Sequence, residues 1–243
     1  MVTKRLKKVE VSYLIVNYKQ KSDLDLLLKD IGNNSKGLEY EVLIFDNSTE
    51  LVVNDYSNLF CFNKNIGYGK AVDYLSTQSE GDYLIIINPD VRIVKPLKSA
   101  ISKYKKLPLQ KGLLGLGKSE KQYITPLLNF LFNKKRFSGY AFIIHKQLFK
   151  STGGFDPHYF MYFEDSDLFE NLKTLGIGSA SFKKPFVIHT KTYTNISSMH
   201  RKYYYYNSLI VFLSKHKKTL YYIFAPFIKL MLILPIYSSQ KVK

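Results

Sequence analysis

The sequence predicts an α/β fold, a mostly parallel sheet flanked by helices, followed by a basic, apolar C-terminal tail. Short apolar runs rich in β-branched residues alternate with helix-length amphipathic segments. Polar residues crowd the C-terminal ends of those runs, and charge is spread unevenly along the chain. The 243 residues suffice for one domain with an appendage and a sizeable core.

The runs Val11–Val16, Tyr40–Phe45 and Tyr83–Ile87 have the length and composition of buried parallel strands. Between them Leu24, Leu27, Leu28 and Ile31, and then Ala71, Val72 and Leu75, recur at helical spacing. Strands alternating with such helices imply βαβ units. Beyond Gly112 the pattern loosens. Phe137–Ile144 reads as a strand, Lys146–Lys150 as a short helix and Gly153-Gly154-Phe155-Asp156-Pro157 as a turn. Asp165–Leu175 reads as a helix stopped by Gly176. Phe186-Val187-Ile188 is a further apolar run, with His189 emerging at its end.

A net charge of +17 asks for an anionic partner: nucleic acid, a membrane surface or a phosphorylated substrate. No acidic residue follows Glu170, whereas twelve Lys and Arg do, so the surplus belongs to the C-terminal part. Cys61 is the single cysteine, which excludes an internal disulfide and a thiolate metal cluster. Val11–Val16 is too short for a signal-peptide core, and a cytoplasmic protein is expected.

Polar clusters follow three strands: Asn17-Tyr18, Asp46-Asn47 and Asn88-Pro89-Asp90. Open α/β sheets bind ligands at that edge. A carboxylate just past a buried strand can hold Mg²⁺ or Mn²⁺ alongside substrate phosphates, although Pro and Asp also form turns. Tyr162-Phe163-Glu164-Asp165-Ser166-Asp167 places three carboxylates within four residues. A helix start alone would accommodate them, but the aromatic frame Phe160, Tyr162 and Phe163 lowers the dielectric, as a general base requires. Asn65-Ile66-Gly67-Tyr68-Gly69-Lys70 precedes a helix, and its glycines let backbone approach a phosphate or sugar. A helix-entry turn explains it equally well. His189 is open between a metal site and a structural hydrogen bond; His145 and His158 read as structural. Gly112–Ser119 satisfies the pattern of a phosphate-binding loop, but the required strand before and helix after are missing. Its Gly-Leu alternation suits an interior strand.

Taken in order, these segments resemble the family 2 glycosyltransferases of GT-A fold, especially the bacterial rhamnosyltransferase-like branch. The matching pieces are Val11–Tyr18, Val42–Ser48, Asn65–Gly67, Tyr83–Asp90, Ser138-Gly139, Gly153–Asp156, Tyr159–Leu168 and Val187–His189, spanning about residues 9–215. The resemblance implies a catalytic domain over 1–190, its donor half about 1–110 and its acceptor half about 111–190, with a helical tail over 191–243. It implies that Asn17, Tyr18, Asp46, Asn47, Asn65, Gly67, Lys70 and Asn88 bind a nucleotide-diphosphate sugar. Asp90 is the chief ligand of Mg²⁺ or Mn²⁺, assisted by His189. Asp165 is the catalytic base, paired with Glu164. Ser138, Gly139, Tyr162 and Asp167 fall to the acceptor. Asn88 replaces the first Asp of the metal motif, and His189-Thr-Lys-Thr-Tyr-Thr departs from the family's glycine-rich loop. The favoured donor by resemblance is dTDP-rhamnose, with a UDP-hexose as alternative and a catalytically silent nucleotide-sugar-binding scaffold as a reading of another class.

The tail stretch Leu220–Tyr237 carries one charge, Lys229, and two prolines, Pro226 and Pro235, and is flanked by lysines. It is marginal for a span and suits the headgroup region of a bilayer. The expectation is a protein peripheral on the inner face of the bacterial membrane, acting on a lipid-linked glycan. Nucleic acid is not expected, although Tyr203–Tyr206 beside Arg201 and Lys202 could stack bases.

Overall fold

The computed structural model describes residues 8–51, 56–108, 111–118, 139–190 and 198–240, with main chain alone at 198, 231 and 233–240. β1 (Val11–Asn17), α1 (Lys21–Asn34), β2 (Tyr40–Asp46), β3 (Leu59–Cys61), α2 (Tyr68–Gln78) and β4 (Tyr83–Ile87) form the first half. β5 (Val91–Ile93), α3 (Leu97–Lys105), β6 (Lys111–Gly115), β7 (Ala141–His145), α4 (Lys146–Ser151), α5 (Glu164–Thr174), β8 (Gly178–Ser181) and β9 (Val187–His189) follow. The chain ends in α6 (Ser198–His216) and α7 (Lys218–Gln240).

Seven strands make one sheet in the order β3-β2-β1-β4-β7-β6-β8. β1, β2, β3 and β4 run parallel; β7 is antiparallel to β4 and β6; β8 is parallel to β6. From β1 the chain proceeds outward through β2 and β3, then returns to place β4 on the other side of β1. The gap between the C-terminal ends of β1 and β4 is therefore the switch point where open sheets take ligands. β1 and β4 are apolar because both faces of the sheet are covered. One apolar layer holds Leu24, Leu27, Ile31, Leu97 and Ile101, the other Ala71, Val72, Leu75, Phe155 and Leu168.

Several short elements carry too little periodicity to read: β3, β5 and β8 have three or four residues each. β5 pairs with β9 in a separate two-stranded sheet, so the Val187–His189 run leaves the main sheet. Positions 112–115 of the phosphate-loop look-alike lie in strand β6, between β7 and β8, as their Gly-Leu alternation suggested. A side chain at Gly112 would collide with Leu148. The 137–144 strand begins later, at Ala141; positions 137 and 138 lie outside the described residues.

The expectation of a separate tail is corrected by its packing. Leu209, Phe212 and Leu213 of α6 are buried together with Tyr159 and Phe163, ahead of α5, and Ile228 of α7 closes the same cluster. α7 runs through both Pro226 and Pro235. A proline inside a helix removes its own amide from the ladder and crowds the carbonyl four residues before it; burial of Ala225 and Ile228 holds the helix in place around Pro226.

Candidate active site

The donor-side residues gather at the switch point. Asn17, ending β1, donates from Nδ2 to Asp46 Oδ1 at the end of β2 (2.8 Å). Asp46 Oδ1 also accepts from the Ser48 amide and hydroxyl, and Oδ2 accepts from the Glu50 and Leu51 amides. These donors outweigh burial and hold its carboxyl below the usual range. Asp46 thus shapes the loop after β2 rather than offering a free carboxylate. Asn47 Oδ1 accepts from the Ile66 amide (3.1 Å) and its Nδ2 donates to the Gly67 carbonyl (3.2 Å). Asn65 Oδ1 accepts from the Gly67 amide (2.8 Å). Gly67 has φ +88°, and a Cβ there would lie 2.6 Å from the Phe160 carbonyl oxygen. The Asn65–Gly67 turn is therefore pressed against the segment that leads to the acidic cluster. Tyr18 is half-buried, whereas Lys70 is exposed.

The metal-side residues also meet. β5 pairs with β9 so that Val91 faces His189 in register, and Thr190 bonds the Asp90 carbonyl through both its amide and its hydroxyl. Arg92 grips Asp30 of α1 through two nitrogens, at 2.6 and 2.8 Å, which fixes β5. The result is a 3.0 Å contact between His189 Nε2 and Asp90 Oδ2, with the imidazole stacked on Tyr140 at 4.7 Å. Asn88 Oδ1 is buried without a hydrogen-bond partner. A buried amide oxygen with nothing to accept from is costly unless a ligand satisfies it. Among the described residues no group of three or more His, Cys, Asp or Glu could enclose a cation. One carboxylate, one imidazole and one amide oxygen fit a hard cation that takes its remaining oxygens from a diphosphate.

The acidic cluster sits where a strained turn meets a helix. Tyr162 and Phe163 both adopt left-handed backbone, φ 72° and 69°. Bulky residues pay roughly 1–3 kcal/mol each for such conformations and keep them only where the surroundings over-determine the turn. Here α6 does so. Ser208 Oγ donates to the Met161 carbonyl (2.8 Å), and Tyr205 and Phe212 pack on the rings of Tyr162 and Phe163. Asp165 then presents Oδ1 to the Ser166 amide (2.7 Å), and its other oxygen lies against Gly139, where any Cβ would collide with it. Gly139 precedes Tyr140, whose carbonyl accepts from the Asn88 amide (2.9 Å) and whose ring stacks on His189. A single dipeptide thus joins the Asp165 carboxylate to Asn88 and His189. Ser138 lies outside the described residues, as do positions 191–197 of the loop after β9.

Glu164 differs from its neighbour. Its Oε2 is sealed from solvent with no hydrogen-bond partner, and burial together with the adjacent Asp165 pushes its pKa up to about 8. A carboxyl protonated more tightly in the folded chain stabilises the fold below its unfolded value near 4.5. That contribution is lost as pH rises towards about 8. Glu164→Gln should therefore flatten the fall in stability across this window. Denaturant unfolding at about pH 5 and about pH 8 measures it; an unchanged slope would place the titration elsewhere.

Two features of the site were not legible in the sequence. Tyr68, the first residue of α2, has its hydroxyl held protonated by burial and by Glu164, Asp165 and Asp90. It therefore lies within electrostatic reach of both the Glu164-Asp165 pair and Asp90. Nothing in Asn65–Lys70 marks its ring as facing inward. Asp167 is the second, and the expectation of an acceptor contact is corrected. It is fully buried and bonded to Lys215 Nζ (2.9 Å), His216 Nε2 (2.6 Å), Tyr159 OH (3.2 Å) and Asn171 Nδ2 (3.1 Å). It anchors α6 to α5 instead of reaching a substrate. Removing one partner of a buried charged network strands the others. Asp167→Ala should cost on the order of 3 kcal/mol in denaturant unfolding and loosen the turn that carries Asp165.

Solved structures similar to this chain include a mannosyltransferase from Pyrobaculum calidifontis in complex with GDP-Man and Mn²⁺. Its TM-score is 0.64 and its identity 13%, covering 85% of this chain and 63% of that one. Glucosyl-3-phosphoglycerate synthase from Mycobacterium tuberculosis, in complex with Mn²⁺, UDP and glucosyl-3-phosphoglycerate, matches at TM-score 0.61 and 14% identity, covering 84% and 79%. TarS 1–349 of S. aureus in complex with UDP-GlcNAc matches at 0.56 and 17%, covering 84% and 73%. These likenesses establish the GT-A fold. The chain spans 63% of the mannosyltransferase's length. No protein-family profile matches the chain, and no curated protein matches it in sequence.

Proposed function

We propose that the chain is an inverting glycosyltransferase that moves a sugar from a nucleotide-diphosphate donor to a glycan acceptor. One observation carries this reading. Gly139-Tyr140 brings a carboxylate with a shaped seat, Asp165, to the same edge as the Asp90–His189 pair and the unsatisfied Asn88 oxygen. The similar structures named above hold GDP-Man, UDP-GlcNAc, UDP and Mn²⁺ on this fold, which supports a nucleotide-sugar donor and a divalent ion.

An acceptor hydroxyl is a poor nucleophile, so Asp165 takes its proton as the new glycosidic bond forms. Ser166 and Gly139 fix the direction of that carboxylate. Glu164, kept neutral, adds no second negative charge beside the base. Asn47, Asn65 and Gly67 shape the floor under the nucleotide, and Tyr18 walls it. Asp90, His189 and Asn88 would hold Mg²⁺ or Mn²⁺, which when bound neutralises charge on the leaving diphosphate. A base on one side and a diphosphate on the other give a single in-line displacement with inversion, without a covalent intermediate.

Rhamnose from dTDP-rhamnose is the favoured donor by resemblance. The uridine and guanosine donors of the similar structures keep a UDP-hexose as the second reading. The acceptor in this proposal is a lipid-linked or growing cell-surface polysaccharide of O-antigen or capsule type, met by a protein peripheral on the inner membrane face. Thermal-shift titration with dTDP-rhamnose, UDP-glucose, UDP-GlcNAc and GDP-mannose, with and without Mn²⁺, tests the donor. Metal-dependent stabilisation by one of them is expected, and none by any would remove the reading.

A further inference from the structure

The outward face of α7 has a composition that the catalytic reading leaves unexplained. The hairpin of α6 and α7 has an inner face, and that face is committed: Leu209, Phe212, Leu213, Ala225 and Ile228 are all buried. A helix lying on a protein surface turns polar residues outward. Here Tyr222 is 75% exposed, Ile223 51%, Phe227 66% and Leu230 55%. At helical spacing these four fall within one sector of α7 and form a contiguous apolar strip over more than two turns. Lys218 and Lys229 are also exposed on this helix, and no carboxylate occurs after Glu170 to offset them.

We infer that this strip is a docking surface for an anionic bilayer, with α7 lying in the plane of the headgroups. Charge complementarity selects the occupant. Apolar side chains whose only charged companions on the same helix are Lys218 and Lys229 match acyl chains beneath negative headgroups. A second copy of a chain carrying +17 would instead bring lysine against lysine. A nucleic acid would leave Ile223, Phe227 and Leu230 facing phosphate. No helix among the described residues is long and apolar enough to cross a membrane.

The consequence for catalysis rests on the lipid-linked acceptor proposed above. α6 holds the Met161 carbonyl through Ser208 and holds Asp167 through Lys215 and His216, two residues from the proposed base. A bilayer bound by α7 would therefore stand in fixed relation to the acceptor side of the site. The docking itself does not depend on that reading.

Flotation of the full chain with vesicles of phosphatidylcholine, alone or mixed with phosphatidylglycerol, tests the surface directly. Binding is expected only to the anionic vesicles, and added salt should weaken it. Tyr222→Ser with Phe227→Ser should lower partitioning about tenfold or more with an unchanged melting temperature, since both rings are exposed. Lys218→Gln with Lys229→Gln should remove the preference for anionic lipid, and serves if the first pair misfolds. Equal flotation of wild type and both variants would overturn the proposal, as would no flotation at all. A dimer in sedimentation that Tyr222→Ser and Phe227→Ser abolish would assign the strip to a second copy. Displacement from vesicles by an oligonucleotide would assign it to nucleic acid. Transfer to a soluble acceptor should be unaffected by these variants. Loss of all transfer in wild type would remove the glycosyltransferase reading and leave the docking result standing.

Discussion

Asp165→Asn should lower sugar transfer by about 10²–10⁴-fold, roughly 3–5 kcal/mol in the barrier, and leave donor affinity unchanged. The amide fills the carboxylate's space against Gly139 and still presents an oxygen to the Ser166 amide, so the shape of the site persists. It cannot take a proton from an acceptor hydroxyl. Steady-state transfer measured beside donor binding separates the two effects. Glu164→Gln is the internal control, because a carboxyl already held neutral loses little by becoming an amide. Transfer within about threefold of wild type for Asp165→Asn would show that another group takes the proton.

How much of this was legible in the sequence depends on what each residue's neighbours do. β1, β2 and β4 are readable because their runs are mostly apolar and buried, β1 throughout and β2 from Leu43 onward. The residues just beyond them are readable because polar groups at that edge have few other reasons to cluster. Asp167 was not. Three carboxylates in four residues look alike until α6, arriving from some fifty positions later, supplies Lys215 and His216 to one of them. The same long-range packing makes α6 a support for the turn that leads to Asp165. The charge asymmetry of the C-terminal part pointed to an anionic partner, but only the fold shows that α6 commits Lys215 and His216 to Asp167. The exposed strip of α7 needed the structure as well, since hydropathy cannot tell which face of a helix is already buried.

Asp90→Ala should lower kcat/KM by about a hundredfold or more, because neutralising charge on a leaving diphosphate is worth several kcal/mol. The loss should appear with Mn²⁺ or Mg²⁺ present, and chelator should reduce wild type to a similar level. Asp90 also faces His189 at 3.0 Å, so a purely structural role for the pair must be separated from metal binding. Asp90→Asn does this. The amide can still meet the imidazole and keep β5 against β9, but it brings no negative charge to a cation. If the pair is structural, Asp90→Asn retains activity and wild type ignores chelator. If the pair binds metal, Asp90→Asn resembles Asp90→Ala in transfer while melting like wild type. His189→Ala should fall between, since Asp90 and Asn88 would still offer oxygens. Donor titrations with and without metal then give the decisive difference: the metal's contribution to affinity should vanish in both Asp90 variants and shrink in His189→Ala.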